Sequence, residues 1–329
     1  MPADSLRHAS PIAEDFHGGS PGAIAKRLFH ATRPKFFPAS VLPVLAGSAW
    51  GVAASGAPDL GVFALALLAT VCVHAGSNVL NDVGDDSGGT DRVNDDRIYP
   101  YTGGSRFIQT GILSAVAMAR LGISLLLIAA VAGFVLIAIK GPMILYFGMA
   151  GVSLGVLYSL GPVRLSSIGL GETAVAIAFG VIPVCGAAWL QGAALDMQLL
   201  IFSLPVSAWV AAILLINEVP DIKADGATGK GTLPVRLGLR GTANLYLTLH
   251  LSAIAACVYL GVAGAMPLVA PLLPAVLLFL TVRAAVAIRR GIADRSAMTK
   301  AIESTLAIHT LGSLWLVACM LYVYWTTVA

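Results

Sequence analysis

Two acidic stretches carry the residues whose types and spacing could do chemistry. The first, 78–96, contains six aspartates and directly follows the uncharged apolar run 60–80. The second, 217–225, is shorter and also follows an apolar run. Carboxylates packed this densely repel one another unless cations lie among them. Oxygen ligands in such number suit Mg²⁺, which is commonly completed by waters and substrate phosphates. The two stretches therefore predict one shared metal–diphosphate site.

Both stretches have the pattern Asn-x3-Asp-x3-Asp, which a helix would place on one of its faces. The pattern consists of Asn78, Asp82 and Asp86 in the first stretch and of Asn217, Asp221 and Asp225 in the second. Basic residues near the two stretches could bind the remaining phosphate oxygens, namely Arg92, Arg97, Arg106, Lys230 and Arg236. The alternative is that each stretch is a hydrophilic loop in which Asp caps a helix or forms a turn.

The composition indicates that these stretches connect membrane helices. Of the 329 residues, 57% are hydrophobic and 11% are charged, against about 25% charged residues in soluble domains. We therefore predict an all-α polytopic membrane protein with nine transmembrane helices bundled around a central cavity. The nine apolar segments are 37–56, 60–80, 121–139, 143–160, 170–190, 197–216, 243–264, 268–288 and 305–324. Residues 1–25 are predicted to be a disordered tail, and 26–329 a single transmembrane domain.

The distribution of Lys and Arg predicts how the helices are oriented. The connections at one end of the predicted spans contain a single basic residue, Lys140, whereas the N-terminal segment and the opposite connections contain nearly all the others. The positive-inside rule places the basic face in the cytoplasm, with the N-terminus inside and the C-terminus outside. Both acidic stretches fall on that face. We expect an integral protein of the bacterial inner membrane, with its active site facing the cytoplasm.

Longer motifs surround the two acidic stretches. The first reads Asn81-Asp-Val-Gly-Asp85 with Gly89-Thr-Asp91. The second reads Asp221-x3-Asp225, followed by Gly229-Lys230 and by Thr232-Leu-Pro-Val-Arg-Leu-Gly238. The pair resembles the two signature motifs of the UbiA superfamily of intramembrane prenyltransferases. The likeness covers nearly the whole chain after residue 25, and the nine-span count agrees with that superfamily.

The resemblance implies a Mg²⁺-dependent prenyltransferase. Mg²⁺ held by Asp82, Asp85, Asp221 and Asp225, with Asp91, Asn78 and Asn217 in support, would bind the diphosphate of a polyprenyl donor. The family pattern selects Asp85 where the helical spacing selects Asp86, so the choice between them stays open. The cations implied for the leaving diphosphate are Lys230, Arg97, Arg106, Arg164, Arg33 and Lys35. Tyr158 would lie near the reacting centre, where its ring face could stabilise an allylic cation.

Three further features are found together: the six-residue gap from Asp85 to Asp91, the Gly-Gly-Ser-Arg106 segment, and Gly169-Leu-Gly-Glu172. They resemble the menaquinone branch of the superfamily, the 1,4-dihydroxy-2-naphthoate prenyltransferases. The resemblance implies a dihydroxynaphthoate-like aromatic acceptor that loses its carboxyl group, a reaction cavity within the lipid bilayer, and no nucleic-acid partner. The chain differs from that branch at Gly231 and at Glu218-Val-Pro220.

Two alternatives are open at this point. A related enzyme on the same scaffold would use another acceptor, such as 4-hydroxybenzoate, homogentisate, a haem or a lipid phosphate. A divalent-cation transporter would instead place charges at mid-membrane depth along a path. The centres of the predicted spans lack Asp, Glu, Lys and Arg, which disfavours the transporter. Glu172 is near the start of a span and is expected to be solvated.

Overall fold

Residues 11–88, 96–159 and 164–328 are described by a computed structural model, and their regular structure is helical. The helices are α1 (Pro21–Ala31), α2 (Pro38–Ser55), α3 (Leu60–Gly88), α4 (Ala115–Lys140), α5 (Met143–Ser159), α6 (Gly171–Val175), α7 (Ile182–Leu190), α8 (Met197–Asn217), α9 (Ile222–Ala227), α10 (Leu233–Val262), α11 (Leu272–Arg290) and α12 (Arg295–Val328). A π-helical segment, Ala176–Val181, joins α6 to α7.

Within the described residues, seven helical stretches are long and apolar enough to cross a membrane. They are Pro34–Ser55, Leu60–Ser87, Ala115–Lys140, Gly171–Leu190, Met197–Asn217, Leu233–Val262 and Leu272–Thr327. The last has 56 residues and contains both α11 and α12, while α5 is a shorter apolar helix. The chain is therefore an all-helical polytopic membrane protein, which confirms the fold class predicted from composition.

Residues 11–25, the described part of the predicted disordered tail, contain helical structure. Ala13–Phe16 form a 3-10 helix, and α1 begins directly after Ser20. The Ser20 hydroxyl accepts a hydrogen bond from the backbone N–H three residues later at 3.2 Å, and a proline follows it. Both features start helices. The Lys26 ammonium donates to the carbonyl oxygen of Asp15 at 2.9 Å. The Pro and Ser content thus serves here to begin a helix.

Small residues let α2 and α7 pack at close range. A Cβ atom on Gly47 would lie 2.1 Å from the carbonyl oxygen of Val184, and one on Gly51 would lie 2.5 Å from that of Ala188. The Gly-x3-Gly spacing leaves one face of α2 without side chains, which is a common arrangement where membrane helices contact each other. This contact fixes α2, and therefore the residues that precede it, against the centre of the bundle.

Helix α8 passes through the centre of the bundle. Most of its side chains are buried, including Phe202 and Trp209. It packs against α10, α12 and the π-helical segment, and the ring of Trp50 in α2 lies 4.7 Å from the Phe202 ring. The helix contains no charged residue, as is typical of a helix that is buried on all sides. Its C-terminal end leads directly into the second acidic stretch.

Candidate functional site

The first acidic stretch is a continuation of a membrane helix. Helix α3 extends to Gly88, so Asp82, Asp85 and Asp86 all lie in its last two turns. No Pro occurs between Leu80 and Gly88, and the apolar part of the helix before this stretch is already hydrogen-bonded, so the helix continues through Gly84. The predicted helical register is therefore correct for this stretch.

Asp82 is buried and contacts two separate parts of the chain. Its Oδ1 lies 3.9 Å from Nη1 of Arg33, which precedes α2, and its Oδ2 accepts the backbone N–H of Ser105 at 3.0 Å. Both neighbouring segments have unusual backbone. Arg33 has φ 59° and Arg106 has φ 63°, a left-handed conformation that costs about 1–2 kcal/mol in a non-glycine residue. Such residues cluster at functional sites. Asp82 thus connects three chain segments at the candidate site.

Asp85 and Asp86 are adjacent in sequence but have different surroundings. Asp85 accepts a hydrogen bond from the Asn81 amide at 2.8 Å, and its Oδ1 lies 3.8 Å from the Lys230 ammonium of the second stretch. Asp86 accepts a hydrogen bond from the Gln109 amide at 3.2 Å, within its own half of the site. The structure therefore brings Asp85, and not Asp86, to the second acidic stretch.

The second acidic stretch does not follow the helical register that its spacing predicts. Helix α8 ends at Asn217, a turn follows, and α9 begins after Asp221. Pro220 has no N–H to donate, and its ring disfavours helical backbone at Val219. The expectation that Asn217, Asp221 and Asp225 lie along one continuous helix is therefore wrong. The turn returns the chain to a short helix on which Asp225 is buried.

Asp225 faces the first stretch across the site. Burial, the main cause, raises its pKa to about 6, Lys230 opposes the increase, and Asp221 and Asp85 contribute to it. These contributions show that Asp85 and Asp225 are close enough to repel each other. The Lys230 backbone N–H also donates to the Asp225 carbonyl oxygen at 2.8 Å. Lys230 thus lies between a carboxylate of each stretch, as a shared site requires.

A backbone contact joins the second stretch to the segment before α6. The Gly231 N–H donates to the Ser167 carbonyl oxygen at 2.8 Å, and Arg236 donates through Nε to the Gly231 carbonyl oxygen at 2.7 Å. The Arg236 side chain also packs over Gly169, where a Cβ atom would lie 3.1 Å from it. Arg236 therefore holds this loop in place. Arg164, at the start of the same segment, is exposed.

The other predicted site residues are more dispersed. Asn78 donates to the Thr32 carbonyl oxygen at 3.2 Å, next to Arg33. Lys35 lies 5.3 Å from the Tyr101 ring centroid, and the Arg97 side chain packs against Gly103. Asp91, Arg92 and Asp95 lie outside the described residues.

Sequence reasoning missed a pair of buried carboxyl groups beside Tyr158. Glu172, which was expected to be solvated, is 4% exposed, and Glu218 is 9% exposed. The two side chains interact with each other. Burial raises the pKa of Glu218 well above its usual value, and the Glu172 carboxyl raises it further. Glu172 begins α6 and Glu218 follows α8, so only tertiary packing brings them together. No spacing rule in the sequence would have revealed the pair.

The described residues suit Mg²⁺ by their chemistry. Among them, no three His, Cys, Asp or Glu side chains converge closely enough to hold a metal ion by themselves. Their donors are oxygens, however, and Oδ1 of Asp82 and Oδ1 of Asn217 are buried without a hydrogen-bond partner. Buried polar atoms are nearly always satisfied, so these two oxygens fit a ligand role. The chemistry of the set agrees with a hard cation that shares its ligands with a phosphate.

Comparison with known proteins decides the family. The sequence profile of the UbiA prenyltransferase family matches residues 40–310. The chain belongs to this family. The 1,4-dihydroxy-2-naphthoate octaprenyltransferase of Haemophilus influenzae is 32% identical to this UbiA chain over 240 residues, which is 70% of this chain and 75% of that one. UbiA prenyltransferase domain-containing protein 1 of Mus musculus is 29% identical over 224 residues, 67% of this chain and 63% of that one.

Solved structures agree with the fold of this UbiA family member. A UbiA homolog from Archaeoglobus fulgidus, bound to DMAPP and Mg²⁺, superposes with a TM-score of 0.65 at 17% identity and covers 89% of this chain and 99% of that one. The apo structure of a UbiA homolog from Aeropyrum pernix K1 has a TM-score of 0.63 at 18% identity and covers 84% and 96%. At these identities the likeness establishes a shared fold.

Proposed function

We propose that this UbiA family member transfers a polyprenyl group from a polyprenyl diphosphate to 1,4-dihydroxy-2-naphthoate, with decarboxylation, in menaquinone biosynthesis. The observation that carries the transferase reaction is the position of Lys230 between Asp85 of one helix end and Asp225 of the other. The naphthoate acceptor is supported by relatives named 1,4-dihydroxy-2-naphthoate octaprenyltransferase, 28–33% identical in Haemophilus influenzae, Mycobacterium tuberculosis and Bacillus subtilis.

The proposed Mg²⁺ ligands are Asp82, Asp85, Asp221 and Asp225, with Asn78, Asn217 and Asp91 in support. When bound, Mg²⁺ would neutralise charge that develops on the leaving diphosphate. The chain supplies its own cations for the same purpose. Lys230 reaches between the two stretches, and Arg33 has a buried Nε–H without a hydrogen-bond partner. Such a donor suits a diphosphate oxygen. Arg106, Arg97, Arg164 and Lys35 complete the proposed cation set.

The proposed reaction exchanges one bond for another. The allylic C–O bond of the donor breaks, and its electron pair leaves with the diphosphate. The ring carbon that carries the carboxyl group forms the new C–C bond, and the carboxyl group leaves as CO₂ and restores the aromatic system. The Tyr158 ring face would stabilise the allylic cation. Water must be excluded from that cation, and the apolar helices around the site serve this purpose.

The membrane arrangement is part of the same proposal. We propose nine spans, in which α11 and α12 are counted separately and α5 is added to the seven apolar stretches. We assign the N-terminus to the cytoplasm and the C-terminus to the outside, because the basic connections lie on one face. The active site would then open to the cytoplasm in a bacterial cell membrane.

A membrane assay with one labelled prenyl diphosphate tests the function. Product from dihydroxynaphthoate that depends on added Mg²⁺ is expected, and absence of that product would refute the assignment of the acceptor. Asp82→Asn and Asp221→Asn should each abolish turnover while the protein still inserts in the membrane and folds. Retained turnover in either variant would exclude the metal role given to that residue.

Another aromatic acceptor is the second candidate. The relatives that support the first proposal have nearly the same identity to this chain as UbiA prenyltransferase domain-containing protein 1 of Gallus gallus, at 29%. The name of that protein specifies no acceptor. The assay therefore needs parallel reactions with 4-hydroxybenzoate and homogentisate. A higher kcat/KM for either of these than for dihydroxynaphthoate would replace the first candidate with the second.

A further inference from the structure

Two buried glutamates lie beside the proposed diphosphate site and take no part in binding Mg²⁺ or diphosphate there. The side chains of Glu172 and Glu218 are both buried and interact with each other. Neither belongs to the Asn-x3-Asp-x3-Asp pattern, and neither forms an ion pair with a Lys or Arg among the residues that the structure describes. Burying a carboxyl pair that contacts no cation destabilises the folded protein. Such a pair therefore indicates a function other than stability.

One oxygen atom of each carboxyl group is available to a ligand. Oε1 of Glu172 and Oε2 of Glu218 are buried and have no hydrogen-bond partner in the described part of the chain. A buried acceptor that is left unsatisfied destabilises the folded protein. Two such atoms on adjacent side chains would accept hydrogen bonds from a ligand that brings donors into the site.

Tyr158 connects the glutamate pair to the proposed reaction centre. Its ring packs at α6, where a Cβ atom on Gly171 would lie 3.7 Å from Tyr158 Cε2. The Tyr158 side chain interacts electrostatically with both glutamates, and also with Asp85 and Asp225 of the diphosphate site. A molecule that is bound by the glutamate pair would therefore lie next to the diphosphate of the donor.

We propose that Glu172 and Glu218 bind the aromatic acceptor by accepting hydrogen bonds from its phenolic hydroxyl groups. This inference rests on the proposed prenyl transfer and assigns the acceptor half of its site. An acceptor that carries both hydroxyl and carboxylate groups is also oriented by the pair, because the acidic pair repels the carboxylate and attracts the hydroxyl protons. The ring carbon that carries the carboxylate then faces the donor, where the new C–C bond forms.

The test combines two enzyme variants with two acceptors. Glu172→Gln and Glu218→Gln keep the shape of each side chain but replace a hydrogen-bond acceptor with an amide. The acceptors are dihydroxynaphthoate and its mono-O-methyl ethers, which lack one hydroxyl donor. Glu14→Gln, an exposed glutamate near the N-terminus, is the matched control for the same chemical change. KM is measured for acceptor and donor separately, at saturating Mg²⁺.

For the unaltered chain, the KM for the hydroxylated acceptor should be lower than the KM for at least one ether by about tenfold or more, because that ether lacks one hydrogen-bond donor to a carboxylate. In each glutamate variant, the KM for dihydroxynaphthoate should rise about tenfold and the preference over that ether should largely disappear. The KM for the prenyl diphosphate and the Mg²⁺ concentration for half-maximal rate should stay unchanged. Glu14→Gln should behave as the unaltered chain.

Three results would overturn the proposal. One is a preference for the hydroxylated acceptor that persists unchanged in both variants, which would leave the pair with a purely structural role. Another is an altered Mg²⁺ requirement with an unaltered acceptor KM, which would make the pair part of the metal site. If neither variant folds, equal KM values of the unaltered chain for acceptor and ethers would exclude hydroxyl recognition, whereas a tenfold difference would support it. Absence of product with every hydroxylated acceptor would instead refute the proposed function.

Discussion

Asp85→Asn and Asp86→Asn form a matched pair of variants with opposite expected outcomes. The substitutions are chemically identical and one residue apart, and both residues lie in the last turns of α3. Asp85 contacts Lys230 across the site, whereas Asp86 contacts Gln109 within its own half. We expect Asp85→Asn to abolish most prenyl transfer and Asp86→Asn to leave it nearly intact.

The expected magnitudes follow from these contacts. A unit charge at 3.8 Å, the separation of Asp85 Oδ1 from the Lys230 ammonium, contributes about 4 kcal/mol at an effective dielectric constant of about 20. Loss of one such interaction with bound Mg²⁺ corresponds to a decrease in kcat/KM of about a thousandfold. Asp86→Asn weakens one hydrogen bond to Gln109, which is worth about 0.5–1.5 kcal/mol. This loss should lower the free energy of unfolding and leave kcat/KM nearly unchanged.

The assay is steady-state prenyl transfer in proteoliposomes, with the Mg²⁺ concentration varied for each variant. Asp85→Asn should also require more Mg²⁺ for its residual rate, while Asp86→Asn should have the Mg²⁺ dependence of the unaltered chain. The unfolding temperature of each variant in detergent shows whether it is folded. A folded Asp86→Asn that is as inactive as Asp85→Asn, or a folded and fully active Asp85→Asn, would refute the assignment of Asp85 to the metal.

The remaining predictions concern packing, protons and a peripheral ion pair. Gly47→Ala should lower the free energy of unfolding by about 1–3 kcal/mol, because its Cβ would overlap the Val184 carbonyl oxygen. Gly133 has open space around it, so Gly133→Ala is the control and should lower the free energy of unfolding little. Equal unfolding temperatures of the two variants would contradict the close contact at Gly47. Burial raises the pKa of Asp225 to about 6 in the absence of metal, so protons should compete with Mg²⁺ below that pH. The half-saturating Mg²⁺ concentration should then rise up to about tenfold per pH unit. A half-saturating Mg²⁺ concentration that stays constant from pH 7.5 to 5 would exclude Asp225 as a ligand. Asp96→Asn should change kcat/KM less than about threefold, since its contact is an exposed Lys223 side chain at 2.9 Å; a large loss would place Asp96 in the site.

The sequence determines the first half of the site better than the second. No Pro interrupts the mostly apolar residues that lead into Asp82 and Asp85, so helical spacing alone predicts their positions on α3. In the second stretch Pro220 interrupts the helix, and the equal spacing of the two patterns conceals this difference. Pro220 cannot continue the helix, whatever the spacing of the acidic residues around it. The proline by itself therefore predicts the turn.

Other features of the site depend on tertiary packing, which spacing does not encode. Glu172 has the sequence position of a solvated residue at the start of a span, but its neighbour in space comes from the end of α8. Arg33 and Arg106 have left-handed backbone on either side of Asp82, although neither sequence context contains a signal for it. In each case a contact between distant segments stabilises a local arrangement that the sequence alone disfavours.

Backbone N–H donors hold each half of the site in place. Ser105 donates to Asp82 in the first half, and Gly231 donates to Ser167 beside the second. Arg33 lies 3.9 Å from Asp82, and Lys230 lies 3.8 Å from Asp85. Even so, burial and the repulsion of Asp221 and Asp85 raise the pKa of Asp225 to about 6. The fold thus brings like charges together before the metal binds, and a divalent cation shared by the two halves would remove that repulsion.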